Sequence, residues 1–236
     1  MKIRILAEGS TKWQRLIKHW GLSILIDDDI LFDTFGKPGY VVKQLKKFGA
    51  DIGKIKHIII SHDDWDHVAG LWDILAQNRS VTVYICPHFH PEIKAKIGRY
   101  GASFVEAAGV TNLRDNIYLG GELTGKRLDS DIPEQYMAVK TGSGLAVITG
   151  CAHPGIVEIT RHAKDVFNSG VDMLIGGFHL KDHAIGKIRD IISELKKLGV
   201  RRMMPFHCTG RSAQELIIKE YGDNCVIPGE GLITDL

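Results

Sequence analysis

The chain passes abruptly from apolar to polar residues along Ile58-Ile59-Ile60-Ser61-His62-Asp63-Asp64-Trp65-Asp66-His67. Residues 57–61 are uninterrupted and rich in β-branched side chains, which predicts a short buried strand. Downstream, apolar residues recur at helical spacing from Val68 to Leu75, so a helix is predicted from near His67 to near Asn78. The polar residues would then lie in a loop at the carboxyl end of a buried strand, where open α/β sheets place their binding sites.

Four residues of this loop, His62, Asp64, Asp66 and His67, form the pattern H-x-D-x-D-H. Neutral imidazole and carboxylate are ligands that zinc, iron and manganese accept. In an extended loop, His62 and Asp64 would share one side, and Asp66 and His67 would turn towards a second site. The alternative is a polar turn in which Asp64 or Asp66 caps the following helix. Because capping explains only one aspartate and neither histidine, we interpret the loop as a metal site.

The composition is that of an ordinary globular protein. The chain has 236 residues, a net charge of +2 and 44% hydrophobic residues, which suffices for one large domain or two small ones. The sequence has no basic tract that would indicate nucleic-acid binding. No apolar stretch approaches the roughly 18 residues of a membrane span. Glu8 comes too early for a signal peptide, so residues 3–8 are predicted to form a first strand. The widely spaced cysteines are typical of reduced thiols in a cytoplasmic protein.

Apolar periodicity predicts a mixed succession of strands and helices. Further strands are predicted at 23–26, 30–33, 81–86, 103–105, 117–119, 136–140, 145–149, 172–175 and 201–206, and helices at 41–48, 92–100, 156–168, 184–198 and 212–221. Two pairs of strands flank short turns, at 27–29 and 142–144, and are predicted hairpins. Gly120-Gly121 and residues 129–133 interrupt the pattern, so residues 92–130 are predicted to be less regular and to shape a substrate pocket.

One short pattern occurs in both halves of the chain. Leu45-Lys46-Lys47-Phe48-Gly49 precedes the strand that leads to His62, and Leu195-Lys196-Lys197-Leu198-Gly199 precedes the strand that leads to His207. Each reads as a helix with a lysine-rich last turn and a glycine cap. Two similar halves of this kind are typical of a two-sheet sandwich with outer helices.

Three histidines of the second half also follow predicted strands. His153 and His207 each lie just past a buried strand and near glycines, and we predict that both bind metal rather than simply hydrogen-bonding a loop. His179 stays open between a metal ligand, an acid or base acting on substrate, and a residue that orients a ligand. Cys151 and Cys208 lie beside these histidines; each is either a thiolate ligand or, more commonly, a small buried hydrophobe.

A weaker candidate is the pattern C-x-H-x-H at Cys86, His88 and His90. It could bind metal. It also lies where a predicted strand meets a predicted helix between two prolines, and we favour exposed imidazoles at this position.

The loop around His62 resembles the H-x-H-x-D-H signature of the metallo-β-lactamase superfamily, with Asp64 at the position of the second histidine. Three later stretches resemble one branch of that superfamily: VITGCAHPGI at 147–156, IGGFHL at 175–180 and HCTG at 207–210. The resemblance spans nearly the whole chain. It implies a single domain over residues 1–236 with an α/β fold, a four-layer αββα sandwich whose metal site lies at the carboxyl ends of strands between two sheets.

The resemblance also implies one or two divalent metals per chain, of zinc, iron or manganese, and no organic cofactor. We assign His62, Asp64 and His153 to a first metal, and Asp66, His67 and His207 to a second. A carboxylate at Asp64 makes the first site harder, which favours iron or manganese. Asp63 is an alternative carboxylate ligand at this site. Cys151 stands where the family's bridging aspartate is expected.

An enzyme is therefore expected. The leading hypothesis is a metal-dependent hydrolase of a small phosphoester, lactone or related substrate, which uses a metal-activated water. If only one metal is bound, Asp66 would orient or deprotonate the water, and His179 would protonate the leaving group or hold a phosphate. The alternative is a transferase of the type that joins a dihydropterin to ribofuranosyl-aminobenzene phosphate in methanopterin biosynthesis. A diiron oxygen-reducing protein and a non-catalytic metal-binding protein are weaker alternatives. The enzyme hypotheses share a small-molecule substrate without a nucleic-acid or membrane partner, and they leave a homo-oligomer open.

Overall fold

The structure, a computed structural model, describes residues 1–127 and 130–236 and divides them between two units. The first unit comprises Met1–Ala108 with Gly229–Leu236, and the second comprises Gly109–Pro228. Each unit has one mixed sheet. Among the described residues, no helix is both long enough and apolar enough to span a bilayer.

The strands and helices alternate along much of the chain. The strands are β1 (Lys2–Gly9), β2 (Gly21–Ile26), β3 (Ile30–Phe32), β4 (His57–Ile59), β5 (Thr82–Ile85), β6 (Ser103–Glu106), β7 (Thr111–Arg114), β8 (Ile117–Arg127), β9 (Ser130–Thr141), β10 (Gly144–Thr149), β11 (Val171–Gly176), β12 (Arg202–Pro205) and β13 (Ile233–Asp235). The helices are α1 (Lys12–Leu16), α2 (Tyr40–Lys47), α3 (Trp65–Val68), α4 (Leu71–Leu75), α5 (Pro91–Arg99), α6 (Ile156–Phe167), α7 (Ile185–Lys197) and α8 (Arg211–Tyr221).

The sheet of the first unit has the strand order β13-β1-β2-β3-β4-β5-β6. The predicted β2–β3 hairpin is confirmed: Asp27 and Asp28 both have positive φ, and the amide of Asp29 donates to the carbonyl of Ile26. Such a turn matches the natural twist of two antiparallel strands. From β3 onward the strands are parallel, so the ends of β3 and β4 that precede the predicted metal loop lie at the same edge.

The sheet of the second unit has the strand order β12-β11-β10-β9-β8-β7. The β9–β10 hairpin is antiparallel as predicted, whereas β10, β11 and β12 are parallel and are connected through α6 and α7. The buried faces of α6 and α7 pack into the core of this unit. The loops after β10, β11 and β12 therefore leave the same edge of the sheet, and they carry the histidines of the second half.

The single helix predicted after β4 is wrong, because α3 and α4 are separate. The amide and hydroxyl of Thr34 donate to the carbonyl of His67 at 2.9 and 2.7 Å, so this carbonyl has partners outside the helix. At Gly70, an added Cβ would lie only 2.1 Å from the Thr34 carbonyl oxygen. The close approach of the Thr34 segment thus divides the apolar pattern into two short helices.

The predicted interruption at Gly120-Gly121 is also wrong, since β8 continues through both glycines. The pairing of β8 with β9 shifts register between Leu119 and Glu122. An added Cβ at Gly120 would lie 2.1 Å from the Tyr136 ring, so this glycine provides room for the ring. Of the predicted interruption at 129–133, residues 130–133 belong to β9, and Asp129 lies outside the described residues.

Some elements have little sequence signal. Helix α1 buries none of its residues and is stabilised instead by a capping box between Thr11 and Gln14. The short strands β7 and β13 are mostly exposed or half-buried. Because apolar periodicity reports burial, it detects none of these three elements.

Asp172 in β11 provides a test of the second unit's stability. Its carboxylate accepts hydrogen bonds from Nε of Arg201 at 2.6 Å and Nε of Arg202 at 2.8 Å. Burial alone would raise the pKa of Asp172, but the hydrogen bonds and charges of the two arginines outweigh it and lower the pKa. Since the folded pKa lies below the unfolded value of about 3.9, the stabilisation is complete above that pH and is lost as the pH falls through the folded pKa.

We expect Asp172→Asn to lower the free energy of unfolding by about 1–3 kcal/mol at neutral pH. Urea denaturation measures this, with Asp182→Asn as a control at an exposed position. The difference between wild type and Asp172→Asn should shrink below about pH 4. A difference that stays constant down to pH 2 would contradict a contribution from the ionised carboxylate.

Candidate metal centre

The loop after β4 brings imidazoles and carboxylates together within the first unit. His62 and His67 are fully buried, Asp66 is nearly so, and Asp64 is partly buried. The two imidazole rings lie 4.0 Å apart between centroids. Nε2 of His67 is 3.4 Å from a carboxylate oxygen of Asp66, and Nε2 of His62 is 3.8 Å from one of Asp64. Each histidine therefore has a different aspartate beside its Nε2.

A fully buried carboxylate, Asp33, orients the imidazole rings of His62 and His67 through hydrogen bonds. It lies just past β3 and accepts the backbone N–H of Ser61 at 2.7 Å, the hydroxyl of Ser61 at 2.7 Å and Nδ1–H of His67 at 2.6 Å. The Ser61 hydroxyl also lies 2.8 Å from Nδ1 of His62. Since the hydroxyl proton is donated to Asp33, Nδ1 of His62 must be the donor to the serine oxygen. Both histidines thus carry a proton on Nδ1, which is the arrangement usual for histidines that bind metal through Nε2.

The electrostatics of this loop favour positive charge. Burial opposes protonation of His67, but the carboxylates of Asp33 and Asp66 outweigh it and raise the pKa of His67 well above its ordinary value. A surrounding that stabilises a buried imidazolium also attracts a cation, because the same negative charges act on both.

In the second unit, Glu134 of β9 organises the loop after β10. This buried carboxylate accepts the backbone N–H groups of Cys151, Ala152 and His153 at 2.9, 2.7 and 2.7 Å. It also lies 2.9 Å from Nδ1 of His153. Glu134 therefore determines both the loop conformation and the orientation of the His153 ring, as Asp33 does for the first unit's histidines.

Cys151, His179, His207 and Cys208 form a buried or nearly buried cluster in the second unit. Sγ of Cys151 lies 3.4 Å from Nε2 of His207, and the rings of His153 and His179 lie 4.5 Å apart between centroids. Burial would raise the pKa of the Cys208 thiol, but a hydrogen bond with Cys151 and the interactions with His207 and His179 lower it well below its ordinary value. The hydrogen bond with Cys208 is the largest cause that raises the pKa of His179, while burial opposes it.

Three non-glycine residues of these loops adopt the left-handed backbone region. They are Ala152, His179 and His207, with φ of 60°, 52° and 54°. A residue in this region costs on the order of 1–3 kcal/mol and persists where the surrounding structure holds it, frequently at functional sites. All three lie in the loops that carry the predicted ligands.

A cavity of about 390 Å³ adjoins His153 and His179 within the second unit. Apolar side chains such as Ile156, Phe178 and Ile191 line it, together with charged residues of α6 and α7. Residues 92–130 were predicted to shape a pocket; of these, the described residues 92–127 and 130 do not line this cavity. The segments that do line it lie between residues 152 and 194.

The C-x-H-x-H pattern has a structural explanation. Nδ1 of His90 accepts the backbone N–H of Glu92 at 3.3 Å and so caps the start of α5. The Cys86 thiol is buried and donates to the carbonyl of Ser61 at 3.8 Å. In the part of the chain that the structure describes, none of the candidate ligand groups includes Cys86, His88 or His90.

The sequence analysis missed Asp33 and Glu134, the two carboxylates that hold the histidines. Asp33 had a weak signal, because an aspartate at the end of a strand next to β4 must lie near the metal loop. Glu134 had none: it lies between the predicted interruption at 129–133 and the predicted strand at 136–140, 19 residues before His153. Only the folded pairing of β9 with β10 brings it under the loop.

The donor set fits a divalent metal. Each unit offers imidazole held at Nδ1 by a buried carboxylate, and the first unit adds the carboxylates of Asp64 and Asp66. This is the ligand chemistry, with its supporting hydrogen bonds, that zinc, iron and manganese sites use.

Comparison with known proteins identifies the family. A family model of the metallo-β-lactamase superfamily matches residues 21–170. The chain belongs to this superfamily. The α/β fold of the family, with two mixed sheets and helices packed on them, is accordingly confirmed.

Individual relatives of this metallo-β-lactamase-fold chain differ in their described activities. It is 28% identical to a protein of Methanocaldococcus jannaschii named 7,8-dihydropterin-6-methyl-4-(beta-D-ribofuranosyl)-aminobenzene-5'-phosphate synthase, over 95% of this chain and 92% of that protein. A solved structure described as a metal-dependent hydrolase of the beta-lactamase superfamily is 26% identical, with a TM-score of 0.79 over 100% of this chain and 99% of that one. The short form of human tRNase Z, 14% identical with a TM-score of 0.64 over 100% and 99%, shares the fold.

Proposed function

We propose that this chain is a metal-dependent hydrolase of a small phosphoester, lactone or related substrate. The observation that carries the proposal is the repeated support of buried histidines by buried carboxylates: Asp33 for His62 and His67, and Glu134 for His153. Membership of a largely enzymatic, metal-binding superfamily supports it. Divalent cations of the zinc, iron or manganese class would be held by two ligand sets: His62, Asp64 and His153 for one, and Asp66, His67 and His207 for the other.

Side chains of the chain would have separate roles in the reaction. Bound cations supply Lewis acidity and lower the pKa of a bound water. If only one cation is bound, Asp66, whose carboxylate is nearly buried, would orient the attacking water or accept its proton. His179, beside His153 and at the wall of the cavity, would hold an anionic oxygen of the substrate or protonate the leaving group. The apolar wall that includes Phe178 would exclude competing water from the substrate.

A second candidate is group transfer instead of hydrolysis. It is favoured by the 28% identical relative, whose name is that of a synthase acting on a dihydropterin and an aminobenzene ribose phosphate. In that case, cations held by the same ligand sets would bind a diphosphate leaving group, and an organic acceptor would take the place of water. Incubation with phosphoester and lactone substrates, and separately with a dihydropterin diphosphate plus acceptor, distinguishes the two by their products.

Elemental analysis tests the metal sites on which both candidates depend. We expect about two metals per chain in wild type, as in other two-metal enzymes, and less in both Asp64→Ala and His207→Ala. Asp63→Ala is the matched control, because the Asp63 carboxylate accepts the backbone N–H of His90 and is not an assigned ligand. A folded wild-type chain that takes up neither zinc, iron nor manganese would refute the proposal.

A further inference from the structure

We propose that Cys151, Cys208 and His179 of the second unit bind a thiophilic divalent cation of the zinc type. None of these residues was assigned to the two ligand sets above, so the inference goes beyond the proposed function. Sγ of Cys151 nevertheless also lies 3.4 Å from Nε2 of His207, a ligand of the second set. One ligand atom from each residue lies within 4.8 Å of the other two. In a tetrahedral zinc site, bond lengths of about 2.3 Å to sulfur and 2.0 Å to nitrogen place neighbouring ligand atoms roughly 3.5–3.8 Å apart. A small contraction of the cluster would therefore bring the three ligand atoms to bonding distance from one cation.

The absence of a side chain at Gly177 leaves room for the Cys208 thiol. An added Cβ at Gly177 would lie 2.6 Å from Sγ of Cys208 and 2.3 Å from the carbonyl oxygen of Gly150. The Cys208 thiol also donates to the carbonyl of Cys151 at 3.6 Å. The backbone N–H of Phe178 donates to the Thr209 hydroxyl at 3.1 Å. The three loops that carry the ligands are thus fastened to one another.

A role as small buried hydrophobes does not account for this grouping. Cys151 and Cys208 are almost completely buried, and their sulfurs lie within 4.8 Å of each other and of an imidazole nitrogen of His179. Within residues 1–127 and 130–236, Nδ1 of His179 is buried and has no hydrogen-bond partner. Buried polar groups normally find partners, and a shared cation would satisfy thiolates and imidazole together.

The chemistry of the cluster selects the kind of cation. Two sulfurs and one nitrogen form a soft set, and zinc binds two cysteines and one histidine with its fourth position open. The imidazole and carboxylate set of the first unit is harder. Since imidazole has two nitrogens, His179 could bind the cation through one and keep the other for a substrate oxygen, as the proposed function requires.

Cobalt substitution tests the site directly in the full-length chain. The reduced protein is freed of metal and titrated with Co²⁺, which gives a thiolate-to-metal charge-transfer absorption in the near ultraviolet only when cysteine is a ligand. We expect this absorption in wild type and its loss in Cys208→Ser. It should persist in Cys86→Ser, the control with a buried cysteine in the first unit, and in His67→Ala, which removes a ligand assigned to the second metal set.

The outcomes separate this inference from the proposed function. Absence of the charge-transfer absorption in wild type would overturn the inference. Absorption that survives Cys208→Ser but disappears in His67→Ala would also overturn it, because the thiolate would then serve the other metal set, and the proposed function would stand. Absorption that depends on Cys208 in a chain without hydrolytic or transferase activity would support the inference and count against the proposed function.

A second measurement covers the case in which Cys208→Ser fails to fold. In the wild-type chain, Zn²⁺ should slow alkylation of Cys151 and Cys208, mapped by mass spectrometry, and leave the half-buried Cys225 unaffected. Equal alkylation of Cys151 and Cys208 with and without Zn²⁺ would overturn the inference.

Discussion

Replacement of Glu134 by alanine is expected to destabilise the second unit by about 3–5 kcal/mol, the cost of removing one partner from a buried charged network. The Glu134 carboxylate accepts three consecutive backbone N–H groups, from Cys151 to His153, and contacts Nδ1 of His153. Alanine would leave these donors without their acceptor in a buried place. The loop that carries Cys151 and His153 should therefore lose its conformation together with the stability.

Urea denaturation measures the effect of Glu134→Ala. Glu158→Ala is the matched control, since Glu158 is exposed and pairs only at the surface with Arg161; it should change stability by less than about 1 kcal/mol. Glu134→Gln should fall between the two, because one oxygen remains while the amide nitrogen faces other donors. A loss below about 1 kcal/mol for Glu134→Ala would show that the loop does not depend on this carboxylate.

Asp33→Asn is expected to weaken metal binding about 10–100-fold, the usual effect of removing a residue that orients metal-binding histidines. Asparagine tolerates the positive φ of 55° at this position, so the substitution changes the hydrogen bonds rather than the backbone. At the position of Oδ2, the amide nitrogen would face both the Ser61 hydroxyl and Nδ1–H of His67. At the position of Oδ1, it would face the backbone N–H of Ser61. The ring of His67, and through Ser61 that of His62, would lose its orientation.

Competition with a chromophoric chelator measures the zinc affinity of Asp33→Asn. Asp28→Asn is a close control, because Asp28 lies in the same hairpin, is exposed and also has a positive φ. Circular dichroism confirms that both variants are folded. An unchanged affinity in folded Asp33→Asn would contradict the orienting role of this carboxylate.

Much of the fold could be predicted from local patterns. The β2–β3 and β9–β10 hairpins, α2, α6, α7 and α8 all coincide with predicted elements because each buries a periodic apolar face. The positions of His153 and His207 after buried strands were predicted for the same reason. In contrast, the sequence predicted a single helix where the structure has α3 and α4. The contact that divides them, between Thr34 and His67, joins residues 33 positions apart and leaves no local pattern.

The carboxylates that hold the site's histidines could not be predicted from local patterns. The sequence by itself determined the family, the strand-end loops and the histidines and aspartates that they carry, because these are properties of short contiguous segments. Only the tertiary structure decided that Asp33 orients His67 and that Glu134 holds the loop from Cys151 to His153. The physical reason is that a hydrogen bond depends on a distance of about 3 Å between two atoms. Strand pairing sets this distance, whereas separation along the chain does not.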